Sequence, residues 1–107
     1  MLVDSHCHLN YPPLRDDLEN VIKRADELKT MLVVNTKLSE AKEVQGIAEK
    51  YNLWCSVGIH PHESQEDFLE LSNFISHPKV VALGETGLDY YYDNSPTVRQ
   101  QECFLHH

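Results

Sequence analysis

Four short apolar runs recur along this chain, and each gives way to a polar stretch before the next begins. Leu2-Val3 opens the first, which ends at Ser5-His6. Met31 to Val34 is the second, closed by Asn35-Thr36. Leu53 to Ile59 is the third and Val80 to Leu83 the fourth. Between the first two, Leu14, Leu18, Val21, Ile22, Ala25 and Leu28 fall at spacings of 4, 3, 1, 3 and 3, one apolar stripe on a helix. Ser39 is expected to cap a second helix with Ala41, Val44, Ile47 and Ala48 inward. Ser64 is expected to cap a third, with Phe68, Leu69, Leu71 and Ile75 facing inward. Ser95 and Pro96 read as the cap and first position of a fourth. Strand and helix therefore alternate from end to end, a pattern that calls for parallel strands joined by right-handed crossovers. A continuous run such as Met31 to Val34 reads as a strand buried on both faces.

Length narrows the choice. At 107 residues the chain suffices for one small domain, but a complete (β/α)₈ barrel needs ~250. Nine basic residues face 17 acidic ones, a formal charge of -8. Such a chain does not attract nucleic acid by bulk electrostatics, since that attraction comes from Lys and Arg displacing counterions. Metal ions or a local patch must supply the positive charge if the substrate is a polyanion. The same acidity argues against an anionic membrane surface as partner. Cys7, Cys55 and Cys103 are odd in number and form no CxxC pair, so reduced thiols with no disulfide partner are expected. Met1 leads into a strand without a basic or long apolar leader, and no run nears the ~20 apolar residues of a membrane span. Cytoplasmic placement is the expectation.

The unusual residues sit at strand ends. His6, His8, His60, His62 and Glu85 all fall where an expected strand finishes, the edge at which ligand sites of parallel α/β folds collect. His6 and His8 are two apart, so both imidazoles project from one face while Cys7 turns the other way. Their Cα atoms would be about 7 Å apart, close enough to hold one metal ion; the alternative is a pair bonded to nearby backbone. Asp4 shares that face and either orients a ligand imidazole or pairs locally. Glu85, between Gly84 and Gly87, follows an apolar strand and reads as a buried strand end; its carboxylate can bridge two cations. Pro61 breaks the strand between His60 and His62, which suit a substrate role, proton donation or loop capping. Tyr90-Tyr91-Tyr92 packs a loop base or stacks on a base or sugar. His77 reads as a surface residue, and nothing is assigned to His106 and His107. No phosphate loop or nucleophile elbow is present.

Three blocks together resemble one family. Val3-Asp4-Ser5-His6-Cys7-His8-Leu9, Val57-Gly58-Ile59-His60-Pro61-His62 and Leu83-Gly84-Glu85-Thr86-Gly87-Leu88-Asp89-Tyr90 are similar to the signature blocks of the TatD metal-dependent hydrolases, and Arg99-Gln100-Gln101-Glu102 is similar to the segment that follows. The resemblance implies α/β architecture, with residues 1–107 as a single partial domain of about four β/α units from the N-terminal portion of a TIM-type (β/α)₈ barrel. It implies an enzyme acting on ester bonds, a deoxyribonuclease with DNA as substrate and two divalent ions (Zn, Mn or Mg) as cofactors. His6, His8 and Glu85 would be metal ligands. His62 and Glu85 would be catalytic, and His60 and His62 would bind substrate. The family's later His ligands and Asp have no counterpart here, and the last helix lacks a stop signal. The chain therefore reads as truncated, and as either weakly metal-binding, inactive, or completed by self-association. Hydrolysis of C–N or other ester bonds by the same ligands is the rival chemistry.

Overall fold

The computed structural model describes all 107 residues. Its strands are β1 (Leu2–Cys7), β2 (Leu28–Val33), β3 (Trp54–Val57) and β4 (Val80–Leu83), and its helices are α1 (Leu18–Arg24), α2 (Ala41–Lys50) and α3 (Thr97–His106). The four strands form one sheet in the order β1-β2-β3-β4, every pair parallel. Each strand lies beside its predecessor, with no reversal of order. That is the winding of a barrel, since a doubly wound sheet reverses direction at a switch point.

Burial follows from this order. Met31, Val33, Cys55 and Val57 on the two central strands are buried. Val33, Met31 and Cys55 pack with Leu9 and with Val44, Ile47 and Ala48 of α2, and Leu18, Val21 and Ile22 of α1 lean on the same cluster. Each fully buried Val or Leu of this kind is worth about 1.5–3 kcal/mol. A second cluster joins Val57 and Ile59 to Leu71 and to Cys103 of α3. The outer strands are different: Val3, Val81 and Leu83 are exposed. The apolar run before Glu85 is thus an edge strand and not a buried one, because no further strand in this structure pairs with it.

Several local expectations are corrected. The first apolar stripe divides into a 3₁₀ turn at Leu14–Asp17 and the helix α1, and Leu28 belongs to β2, where it pairs with Leu2. Ser39 lies inside a 3₁₀ turn and caps nothing; α2 begins without a side-chain cap. The third expected helix is a 3₁₀ segment, Phe68–Asn73, capped by Asp67, and Ser64 instead follows the short turn Pro61–Glu63. The spacing explains this. Phe68, Leu71 and Phe74 are each three apart and share one face of a three-residue turn, packing on the second cluster. Leu69 and Ile75 fall off that face and are exposed. At α3 the hydroxyl of Ser95 donates to the carbonyl of His62, leaving Pro96 as the uncapped N-terminal boundary. No helix is long and apolar enough to cross a membrane.

Candidate metal centre

All four strand ends meet at one place. From β1, His6 and His8 project to the same side, with their Nε2 atoms 3.2 Å apart. The loop after β4 brings Glu85, whose Oε2 lies 3.4 Å from His6 Nε2 and 3.7 Å from His8 Nε2. After β3 comes His60, with Nε2 3.6 Å from the other oxygen of Glu85. β2 contributes the Val34 carbonyl, 3.1 Å from His8 Nδ1.

Those contacts fix ring states. A carbonyl only accepts, so His8 Nδ1 carries the proton and Nε2 offers a lone pair. A backbone carbonyl on the far nitrogen is the usual orienting partner of a metal-binding imidazole. Tyr11 stacks on the His8 ring at 5.4 Å and is itself held through its hydroxyl by Thr36 and by Glu40, 2.9 Å away. Asp4 takes no part in orienting a ring: its carboxylate accepts from the backbone N–H of His6. In His60, Nδ1 accepts from the His62 backbone N–H, so the neutral ring presents Nε2–H toward Glu85. Burial lowers the His60 pKa, with Glu85 opposing it, and so favours that neutral form.

Does the donor set suit a metal ion? Two donors about 2.0–2.1 Å from a tetrahedral zinc stand about 3.3 Å apart. His6 Nε2, His8 Nε2 and a Glu85 oxygen match that separation without rearrangement, and all lie within 4.8 Å of one another. Two imidazoles and a carboxylate form a donor set found in catalytic zinc sites. The residues present therefore fit a divalent ion.

A buried polar frame places Glu85. Asn35 is fully buried and every one of its polar groups is bonded. Its carbonyl accepts from Glu85 N–H at 2.7 Å, its N–H donates to Ser56 Oγ, its amide oxygen accepts from Gly58 N–H, and its amide NH₂ donates to the Lys37 carbonyl. The Ser56 hydroxyl donates in turn to the Gly84 carbonyl at 2.6 Å. Gly87, at φ +146°, lets the loop turn directly after this anchor. Nothing in the sequence pattern points to Asn35 or Ser56, since both sit in a strand or at its end and mark no period.

His62 lies to one side of the cluster. Its Nε2 is 2.6 Å from Asp89 Oδ2, and the edge of Tyr92 meets its ring. His77 is half-buried beside Glu49, and His107 accepts from Ile59 N–H and bonds back to Cys103. Tyr91 is almost fully exposed, with its ring edge-on to Tyr92.

A family model described as TatD related DNase matches residues 3–107. The chain belongs to the TatD-related DNase family. The uncharacterized metal-dependent hydrolase YcfH of Escherichia coli is 41% identical over 99% of this chain and 43% of its own length. The 3'-5' ssDNA/RNA exonuclease TatD of Shigella flexneri is 30% identical over 97% of this chain and 43% of its own. The crystal structure of YjjV, a TatD homolog from Escherichia coli, superposes with a TM-score of 0.82 at 29% identity, over 98% of this chain and 44% of that one. The chain thus spans less than half the length of the TatD relatives it matches. Its sheet is the N-terminal part of the family's barrel, and metal-dependent hydrolysis is the family's chemistry.

The thiols stand apart from this site. Cys7 turns its sulfur to the Leu32 carbonyl on the core side of β1. Burial, helped by Asp4, pushes its pKa up to about 12, burial pushes Cys55 to about 11, and Cys103 is raised in the same sense. A thiol whose folded pKa is raised favours the fold below its unfolded pKa and opposes it as pH climbs above that. Stability is therefore expected to fall from about pH 9 upward, near the unfolded thiol value. Alkylation with iodoacetamide at pH 8 should leave all three thiols unmodified until denaturant is added, as mass spectrometry would show.

Proposed function

We propose that this chain forms part of the active site of a metal-dependent phosphodiesterase that hydrolyses DNA. The observation that supports it best is the meeting of His6 Nε2, His8 Nε2 and Glu85 Oε2 within 3.2–3.7 Å, drawn from the first and last strands of the sheet. His6, His8 and Glu85 would hold the first of two divalent ions, while the other oxygen of Glu85 faces His60 Nε2 at 3.6 Å. When bound, such ions lower the pKa of a water and offset charge on phosphate oxygens. The two histidine donors favour zinc over magnesium at that position.

The residues do the rest of the positioning. His8 is held as an Nε2 donor by the Val34 carbonyl and the Tyr11 stack. Glu85 is fixed through its backbone to Asn35. His60 presents an N–H beside Glu85, and His62 supplies a second imidazole on the substrate side. A chain of charge -8 needs local positive charge to accept a polyanion, which bound divalent ions would supply. Tyr91, almost fully exposed, offers a ring face to an unpaired base. The name borne by the Shigella flexneri relative points to the same class of substrate.

The test is a panel of single-stranded DNA, RNA, amides and lactones with Zn²⁺ or Mn²⁺, alongside calorimetric metal titration. Metal-dependent cleavage of DNA supports the reading. Cleavage of amides or lactones without DNA cleavage overturns it. His8→Ala is expected to weaken the first ion's binding about 100-fold, with helix content unchanged by circular dichroism.

A further inference from the structure

His62 sits in a setting more elaborate than a loop histidine needs. Its Nε2 faces Asp89 Oδ2 at 2.6 Å, while the other Asp89 oxygen accepts from the backbone N–H groups of Tyr91 and Tyr92. Asp89 is clamped in turn. The side chain of Gln100, 1% exposed, accepts from Asp89 N–H at 2.8 Å and donates to the Asp89 carbonyl at 3.0 Å. It also donates to the Ser95 carbonyl, and the Ser95 hydroxyl closes the circuit on the His62 carbonyl. Both the carboxylate and the ring are therefore tied to the start of α3.

We propose that Asp89 is a positioning residue that holds His62 as its Nε2–H tautomer and leaves Nδ1 as the nitrogen offered to the substrate phosphate. An ionised carboxylate only accepts, so Nε2 must donate to it. Nδ1 makes no hydrogen bond within the chain. In the neutral ring it carries a lone pair. In a protonated ring it is a second N–H donor. Asp89 is kept ionised chiefly by the hydrogen bond from His62, with help from the two tyrosine N–H groups, which lower its pKa. The substrate side of this inference rests on the phosphodiesterase reading; the tautomer does not.

Asp89→Asn isolates the effect. The amide oxygen keeps the Tyr91 and Tyr92 N–H groups, because an NH₂ facing two N–H donors would be repelled. The amide NH₂ then takes the place of Oδ2 and faces His62. Two donors cannot pair, so the ring must move its proton to Nδ1. Long-range ¹H–¹⁵N correlation spectra of the histidine rings read this directly, with His62 assigned by its absence in His62→Gln. The expected result is an Nε2–H ring in the native protein and an Nδ1–H ring in Asp89→Asn. Hydrolysis of bis(p-nitrophenyl) phosphate with Mn²⁺ should fall about 100-fold in kcat, and Mn²⁺ affinity should hold. An Nδ1–H ring in the native protein overturns the proposal, even if the variant fails to fold. So does an unchanged tautomer in the variant, or a flipped tautomer with full activity. If the native protein cleaves neither this diester nor single-stranded DNA, the phosphodiesterase reading fails, and the spectra still decide the role of Asp89.

Discussion

Glu85→Gln is expected to remove metal-dependent hydrolysis, with a rate loss of at least about 10³-fold. Glutamine keeps the volume and loses the charge. The amide still fits between His6, His8 and His60, yet it offers one neutral oxygen where the carboxylate offers two charged ones. The fold should survive, because Glu85 is anchored by its backbone N–H to Asn35 and its side chain is partly exposed. Calorimetry with Zn²⁺ and a thermal melt of the metal-free protein make the check. Lost binding with an unchanged melt is the expected pair. Full binding and cleavage in the variant would show that the carboxylate is not a ligand.

Gly58→Ala should do the reverse, breaking the frame while leaving every ligand in the sequence. A Cβ at Gly58 would stand 2.6 Å from both the Cα and the carbonyl oxygen of Gly84, and closer still to its carbonyl carbon. These are backbone atoms held by the Ser56 hydroxyl on one side and by Val57 on the other, so they cannot swing away. The end of β4 would have to separate from β3, and Glu85 would go with it. A cost of about 3 kcal/mol or more is expected. At about 4–8 °C per kcal/mol for a domain of this size, the melting temperature should drop by roughly 12 °C or more. Gly46→Ala is the matched control. It lies in α2 with nothing within 4 Å of the added carbon, and the change should raise the melting temperature slightly. Equal melts for the two variants would contradict the close crossing of β3 and β4.

Comparing these two positions shows what the chain's spelling reveals. His6 and His8 are legible because a strand has period two, and two imidazoles with a thiol between them must share a face. The sheet and α2 are legible for similar reasons, since their apolar residues repeat at the intervals of the element. The 3₁₀ segment is not legible, because Phe68, Leu71 and Phe74 at period three also fit part of a helical stripe, and only the fold leaves Leu69 and Ile75 exposed. The roles of Asn35, Ser56 and Gln100 are not legible in the sequence, because their partners come from elsewhere in the chain. Gly84 and Gly87 drew attention as the flexible flanks of Glu85. The glycine with a steric reason to be there is Gly58, and only the fold brings it against Gly84. Asp89 was visible as a letter of a motif, but its partner His62 lies 27 residues away.

The ligand set also has a topological meaning. β1 and β4 are the outermost strands of the sheet, and if it were flat they would be about 14 Å apart. His8 and Glu85 nonetheless come within 3.7 Å, across the concave side. A cation held by both is a non-covalent cross-link closing a loop of about 77 residues, comparable in chain entropy to a long-range disulfide. An ion bound there would favour this curved arrangement over a flatter one, so ion binding and sheet curvature would be linked. Each doubling of free ion above its dissociation constant adds about 0.4 kcal/mol to the curved state. An ion held there would also be a hoop around the strands that hold it.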